Sequence, residues 1–370
     1  MISIFCSPAR YVQGRDASLE LASEMVKLGF SGRVLVLASR SARAALESTW
    51  QQSFALHGLS CDILDFGGEC SLAEIERGKA EALRLGSTCI VGAGGGKVLD
   101  TARAIASEMG LPVVSCPTTA SSDAPCSALS VVYSAEGRFE KCLFYRRNPD
   151  LVLVDTAVIV KAPVRLLISG MGDALATHFE AETSRKAHKR NQVGGASTIA
   201  AAALAELCYR TLLEDGQAAV AAARVGAITP AFERIVEANT LLSGLGFESG
   251  GLAVAHSVHN GLTAAPETHA YLHGEKVAFG TLVQLVLEGR DAALVEQVMG
   301  FSHAVGLPLT LADLGLDPLS LAMAQSIAER AVAAGETAHN EAFEVSPASL
   351  RDALYAADAW GADFKRRHTR

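Results

Sequence analysis

Thr88-Cys89-Ile90-Val91-Gly92-Ala93-Gly94-Gly95-Gly96-Lys97-Val98-Leu99-Asp100-Thr101 reads as three pieces in order: a short β-branched run, a glycine loop, and a start of helical spacing that Ala102, Ile105 and Ala106 continue. A strand that passes through glycines into a helix aims backbone N–H groups and the positive helix end at one point. With no side chain to hold an anion off, such a loop suits a pyrophosphate. The dinucleotide fingerprint G-x-G-x-x-G is met at Gly92 and Gly94, while its third glycine falls on Lys97. A tight strand-to-helix turn without a ligand stands as the alternative.

Residues 33–38, 61–65, 112–115 and 151–154 are further short apolar runs, and with 88–91 they read as buried parallel strands; residues 72–85 carry a helical pattern. Alternation of this kind builds a doubly wound sheet. Beyond Pro163 the strand signal nearly vanishes, and long Ala/Leu/Glu-rich periodic segments such as 197–213 and 321–334 take over. The fold expected is an α/β domain over residues 1–162, with a parallel Rossmann-like sheet, and an all-α domain over residues 163–370. Open sheets bind at the carboxyl ends of their strands, so the ligand is expected in the cleft between the two. The Gly194-Gly195 pair reads as a helix–helix loop rather than a linker.

Of the 370 residues, 49% are hydrophobic and 19% charged, enough to bury substantial cores without disulfides. The net charge of -8 leaves no basic stripe to neutralise phosphates, and Lys365-Arg366-Arg367 is too short for a nucleic-acid arm. The eight cysteines, Cys6, Cys61, Cys70, Cys89, Cys116, Cys126, Cys142 and Cys208, form no CxxC pair and read as reduced thiols of a cytoplasmic protein. Neither a secretory leader nor a membrane span is expected.

Three segments of the second half combine polarity with helical context: Gly172-Asp173-Ala174-Leu175-Ala176-Thr177-His178-Phe179-Glu180, then Ala255-His256-Ser257-Val258-His259-Asn260-Gly261, then Tyr271-Leu272-His273-Gly274-Glu275-Lys276. One carboxylate and two imidazoles make a ligand set suited to zinc or iron that keeps a position open for a substrate oxygen. Spacing alone favours hydrogen-bonded core histidines over ligands, since no single helix face holds both His256 and His273.

Several of these stretches closely resemble the glycerol dehydrogenases, a branch of the iron-containing alcohol dehydrogenase superfamily. They include the glycine loop, Pro117-Thr118-Thr119-Ala120-Ser121-Ser122-Asp123-Ala124-Pro125 with Ser127, Leu129 and Tyr133 after it, Gly172-Asp173, Gly244-Leu245-Gly246-Phe247-Glu248, and the segments around His256 and His273. The likeness covers nearly the whole chain. It implies a dehydroquinate synthase-like fold, a dinucleotide-binding first domain, a helical second domain, and a catalytic divalent metal, usually zinc, with Fe2+ and Mn2+ as alternatives. By the resemblance Asp173, His256 and His273 are metal ligands that also touch substrate. Gly94, Gly95, Gly96, Lys97, Val98, Leu99 and Asp100 hold the pyrophosphate, and Ser39, Thr118, Thr119, Ser121, Ser127, Leu129 and Tyr133 meet the rest of the cofactor. Asp123 corresponds to the residue beside the substrate and the nicotinamide. The implied reaction moves hydride from the secondary carbon of glycerol or a related diol to NAD, giving dihydroxyacetone from glycerol; His259 or a water chain is the candidate proton relay. Members of the family commonly form octamers, so a homo-oligomer is expected, with no nucleic acid or membrane as partner.

Two departures from the pattern carry expectations. Where the family has an acidic residue after the strand ending at Ala38, this chain has Ser39-Arg40, which removes repulsion toward a 2′-phosphate and offers a guanidinium to pair with it, so NADP use is expected alongside NAD, the alternative being a solvent-facing Arg40 with NAD bound by one hydrogen bond fewer. Iron-type relatives place a third His four residues after the metal-binding Asp; here that position is Thr177, and His178 lies one residue further round the helix, pointing away. Zinc with three protein ligands is the expectation. The alternatives sharing the architecture are a dehydroquinate synthase-like lyase and a glycerol-1-phosphate dehydrogenase, which call for clustered Lys and Arg near the metal. A non-catalytic nucleotide sensor would carry a damaged triad.

Overall fold

A computed structural model describes residues 1–134, 137 and 139–368 and divides the chain into two compact units. The α/β unit comprises Cys6–Pro163 with Gly226–Ile228; the helical unit comprises Met1–Phe5, Val164–Val225 and Thr229–Arg370. Two short segments thus lie apart from the sequence-order division at 162: the first five residues go with the helices, and residues 226–228 with the sheet.

In the α/β unit the strands are β1 (Tyr11–Gly14), β2 (Arg33–Ala38), β3 (Ser60–Asp65), β4 (Cys89–Gly94), β5 (Val113–Pro117), β6 (Leu129–Tyr133), β7 (Phe139–Phe144) and β8 (Leu151–Asp155). Its helices are α1 (Leu21–Lys27), α2 (Arg40–Leu56), α3 (Leu72–Leu85), α4 (Gly96–Met109) and the single turn α5 (Thr156–Ile159). Six strands form one sheet in the order β1-β8-β5-β4-β2-β3, every pair parallel. All five strands read from the sequence are in it. The edge strand β1 and the antiparallel hairpin β6–β7 were not read, for β1 has only four half-buried residues and no apolar run.

The near-continuous apolar runs follow from burial on both faces of the sheet. Val34, Val36 and Ala38 of β2 pack with Trp50 and Phe54 of α2, while Leu35 and Leu37 pack on the other side with Ile75 of α3 and Ile105 of α4. Each large apolar side chain so buried contributes ~1.5–3 kcal/mol relative to exposure. Helix α3 begins where the Ser71 hydroxyl accepts the Glu74 amide, 3.2 Å away, and ends at Gly86 in the left-handed region, φ 65°. From β2 the chain moves outward to β3, then returns to place β4 on the opposite side of β2 and runs on through β5 and β8. The direction of winding therefore reverses between β2 and β4.

The helical unit contains α6 (Val164–Lys186), α7 (Ile199–Arg224), α8 (Pro230–Glu237), a π-helical turn (Ala238–Leu242), α9 (Ser243–Gly250), α10 (Val254–Leu262), α11 (His273–Leu287), α12 (Ala292–Val305), α13 (Leu321–Ala331) and α14 (Pro347–His368). Helix α7 runs beyond the 197–213 segment because its pattern continues into the Ala-rich stretch that ends at Arg224. Between α6 and α7, Asn191 stitches the Gly194-Gly195 turn: its carbonyl oxygen accepts the Gly195 amide at 2.9 Å, and its amide donates to the Ile4 and Ser249 carbonyls, each at 2.9 Å. Residues at the start of the chain join here, as Ser3 bridges Ala196 in parallel. All eight cysteines are free thiols, and among the described residues no helix is long and apolar enough to cross a membrane.

Candidate functional site

Two close helix crossings in the helical unit bring distant segments together. A Cβ on Gly274 would lie 1.8 Å from the Ser169 carbonyl oxygen, and one on Gly172 would lie 2.3 Å from the Gly274 carbonyl oxygen, so α6 and α11 meet backbone to backbone. A Cβ on Gly280 would lie 2.3 Å from the Ala255 oxygen, which sets α10 against α11 in the same way. The first crossing is fastened at its rim: Arg165 of α6 grips Glu275 with two hydrogen bonds of 2.6 and 2.7 Å, and Glu275 in turn accepts the Leu272 amide at 2.7 Å. That ties down the first turn of α11, where His273 stands.

Asp173, His256 and His273 meet beside these crossings. His273 Nε2 lies 3.1 Å and His256 Nε2 3.4 Å from Asp173 Oδ1, and one donor atom from each of the three residues falls within 4.8 Å of the others. It is the one such cluster among the described residues. The Asp173 side chain is fully buried, whereas that of His273 is 40% exposed, so the group has an open side. Burial acts to raise the Asp173 pKa, but the charge on His273 and the hydrogen bonds from both imidazoles outweigh it and hold the carboxyl well below its usual range. For His256, burial acts downward, and the charge of Glu180 with hydrogen bonds to Asp173 and Glu180 overcomes it, raising the ring well above its ordinary value. His259, 3.1 Å from His273 Nδ1, is pushed well below by burial and by the charges on His273, Lys276 and His256.

One buried carboxylate oxygen and two imidazole nitrogens with an open side fit a divalent cation of borderline softness, such as zinc, better than Mg2+ or Ca2+, which favour oxygen shells. His178 takes no part. Its ring stacks on Tyr209 with centroids 5.0 Å apart and an interplanar angle of 8°, and burial lowers its pKa.

In the α/β unit a second candidate site lies at the winding reversal, outside the carboxyl ends of the strands, where open sheets hold ligands. A cavity of about 520 Å³ is lined by Ser39 and Arg40 after β2, Phe66 to Gly68 after β3, and Gly95 to Val98 after β4. Added Cβ atoms at Gly95 would meet nothing within 4 Å, and at Gly96 only the Ala124 Cβ at 4.0 Å, so these glycines leave space at the start of α4. Gly94 is a glycine for another reason, since its Cβ would strike Val98 at 2.6 Å. The open helix end, together with Lys97, fits the phosphates of a dinucleotide. Lys97 is held meanwhile by Glu69, 2.5 Å away, and lies 5.2 Å from the Tyr133 ring centre.

The remaining residues read as cofactor contacts divide. Thr118, whose amide donates to the Gly94 carbonyl at 3.0 Å, and the Thr119–Ser121 hydroxyl pair, 3.2 Å apart, follow directly on β5. Leu129 and Tyr133 stand half-buried on β6. Leu99 and Asp100 face inward: Leu99 is buried, and the Asp100 carboxylate is taken by Arg103 and by the Val131 amide at 3.0 Å. The Ser127 hydroxyl is likewise buried and donates to the Ala124 carbonyl at 3.2 Å. Asp123 is buried at the head of the short 3-10 helix Ala124–Cys126.

Glu180 carried no role in the sequence reading. It is wholly buried, with Oε2 2.6 Å from His256 Nδ1. The available signal was its place seven residues after Asp173, which puts both carboxylates on one face of α6.

The pattern described as iron-containing alcohol dehydrogenase matches residues 8–156. Over 366 residues the chain is 50% identical to the glycerol dehydrogenase of Escherichia coli O6:H1, covering 98% of this chain and 99% of that one. It is 48% identical over 361 residues to the glycolaldehyde reductase of Halobacterium salinarum, covering 98% of each. The crystal structure of glycerol dehydrogenase from Schizosaccharomyces pombe superposes with a TM-score of 0.95 at 40% identity, over 99% of this chain and 92% of the other.

Proposed function

The chain belongs to the iron-containing alcohol dehydrogenase family, and on that basis we propose that it oxidises the secondary hydroxyl of glycerol, or of a related vicinal diol, to the hydroxyketone with hydride transfer to NAD(P). The observation that supports this reading best is the meeting of Asp173, His256 and His273, three donors from three separate helices with one open side. These residues would hold the divalent cation, zinc in our reading because His178 is engaged with Tyr209 and, among the described residues, three protein donors converge; Fe2+ and Mn2+ are the alternatives. When bound, the cation supplies Lewis acidity toward an alcohol oxygen and the dinucleotide supplies the hydride acceptor.

The protein's own part is positioning. Asp173, kept ionised, holds its charge at the centre of the site, and the exposed edge of His273 gives a small polyol access. Asp123 orients a substrate hydroxyl. The amides at Gly95 and Gly96 and the Lys97 ammonium bind the pyrophosphate, for which Lys97 must leave Glu69. Arg40 makes no ion pair among the described residues and lines the same cavity, where no carboxylate repels a 2′-phosphate. NADP is therefore used as well as NAD, with preference leaning toward NADP.

A second reading, reduction of a small hydroxyaldehyde by the same site, is favoured by the 48% identity to a glycolaldehyde reductase. Phosphorylated substrates are disfavoured, because the close basic candidate Lys276, just after His273, is buried and held below its ordinary pKa by burial, and Arg165 at the rim of the α6–α11 crossing is already held by Glu275. A homo-oligomer is part of the reading and is checked by light scattering. The test of function is the initial rate of reduced-cofactor formation with glycerol, using NAD and NADP in parallel, on metal-stripped protein before and after zinc is restored. Zinc-dependent turnover supports the assignment; turnover unaffected by stripping and restoring zinc defeats it, and turnover with glycolaldehyde but not glycerol favours the second reading.

A further inference from the structure

Glu180 lies almost two full turns beyond Asp173 on α6. Its two oxygens face two backbone amides and one imidazole nitrogen. Oε1 accepts the amides of Ala253, at 2.9 Å, and of His256, at 3.0 Å; Oε2 lies 2.6 Å from His256 Nδ1. Backbone amides only donate, so Oε1 is an acceptor twice over, and of a carboxylate and an imidazole sharing one proton the imidazole is the stronger base, so the proton between Oε2 and the ring sits on Nδ1. In a neutral imidazole that leaves Nε2 with a bare lone pair. Nε2 is the atom that faces Asp173 in the triad.

We infer that Glu180 is a positioning residue for the metal centre: it fixes His256 as the Nδ1–H tautomer and so presents the Nε2 lone pair to the cation. The inference rests on the triad being a metal site, as proposed above. The two imidazoles are then held by unlike partners, His256 by a buried carboxylate and His273 by the ring of His259. Carboxylate–imidazole–metal arrangements of this kind orient the ring and make it a stronger base.

A purely structural role for Glu180 would need only Oε1, which closes the start of α10 by accepting two of its free amides. Glutamine satisfies that need with its carbonyl oxygen. Its NH2 would then lie against Nδ1, where it donates, so the ring must accept there and carry its proton on Nε2. Glu180→Gln therefore keeps the helix start and takes the lone pair away from the triad.

The experiment titrates metal-stripped wild type and Glu180→Gln with Zn2+ in competition with a chromophoric chelator, alongside far-UV circular dichroism and NADPH binding by fluorescence. Zinc affinity is expected to fall roughly 10–100-fold in the variant while secondary structure and NADPH binding stay unchanged. Affinity within about twofold of wild type overturns the assignment while leaving the metal reading intact. A wild type that binds no zinc overturns both. Should the glutamine variant fail to fold, nitrogen NMR of histidine-labelled, zinc-loaded wild type reads the tautomer directly: a proton on Nδ1 of His256 is expected, and a proton on its Nε2 overturns the assignment.

Discussion

Glycine serves opposite ends at the two candidate sites. In the α/β unit, Gly95 and Gly96 stand beside empty space at the start of α4; in the helical unit, Gly172, Gly274 and Gly280 stand where a Cβ would run into a neighbouring backbone. The first kind makes room for a ligand and the second makes room for another helix. One is replaceable without harm to the fold, and the other is part of the reason that Asp173 and His273 meet. A glycine motif read from sequence does not say which kind it is; the direction in which the missing Cβ points decides.

The comparison is broken most severely at Gly274. Gly274→Ala sets a Cβ against the Ser169 carbonyl and the Asp173 amide, and the expected outcome is a loss of more than about 3 kcal/mol, since a backbone cannot shift as a side-chain tip can. Thermal melting reads the loss, and chelator competition should show zinc affinity collapsing with it; a variant that melts like wild type would mean the helices tolerate a wider crossing. Gly95→Ala sharpens the contrast: stability should stay within about 0.5 kcal/mol while KM for the dinucleotide rises about tenfold and kcat holds. A drop in melting temperature with KM unmoved would assign Gly95 to packing instead.

Charge separates the two candidate sites rather than the units, since among the described residues the α/β cavity is lined by Arg40 and Lys97 and by no carboxylate, while the cluster in the helical unit has buried Asp173 at its centre, Glu180 behind it and Glu341 buried further back. Arg40→Asp should lower kcat/KM for NADP relative to NAD by about 10- to 100-fold, the value of a charged hydrogen bond, and an unchanged ratio would show Arg40 turned to solvent. The smallest effect is expected at Glu341. Burial, then the charges of Glu288 and Glu180, push its carboxyl up to about 8. A raised acid binds its proton more tightly folded than unfolded, so its stability contribution is complete below its ordinary value near 4.5 and is lost as pH rises through about 8. Glu341→Gln removes that slope. Its melting temperature should exceed that of wild type by a few degrees at pH 9 and by less at pH 5; a difference independent of pH would discard the buried charge as the cause.

The sequence was most legible where one physical constraint dominated. Strands buried on both faces, such as Val34 to Ala38, declare themselves by unbroken apolar runs, and helix α3 is bounded by Ser71 and Gly86. The hairpin β6–β7 escaped because Leu129-Ser130-Val131-Val132-Tyr133 follows a Ser/Ala-rich loop whose pattern promises no strand. The triad was reachable only through a resemblance, since nothing in the spacing of Asp173, His256 and His273 fixes how α6, α10 and α11 cross. Glu180 offered only its spacing from Asp173, which names no partner: His256 lies 76 residues away, and hydrogen-bond geometry has no linear signature.

Asn191 grips the carbonyl of Ile4 from 187 residues further along the chain. At roughly 5–20 residues per second of synthesis, the opening segment waits on the order of ten to forty seconds for the loop that will hold it. Cys6–Pro163 emerges entire within that interval. In the cell, therefore, residues 1–5 are made before Cys6–Pro163 yet find their place after it, and until then Ile2, Ile4 and Phe5 are a short apolar segment within reach of chaperones and of other nascent chains.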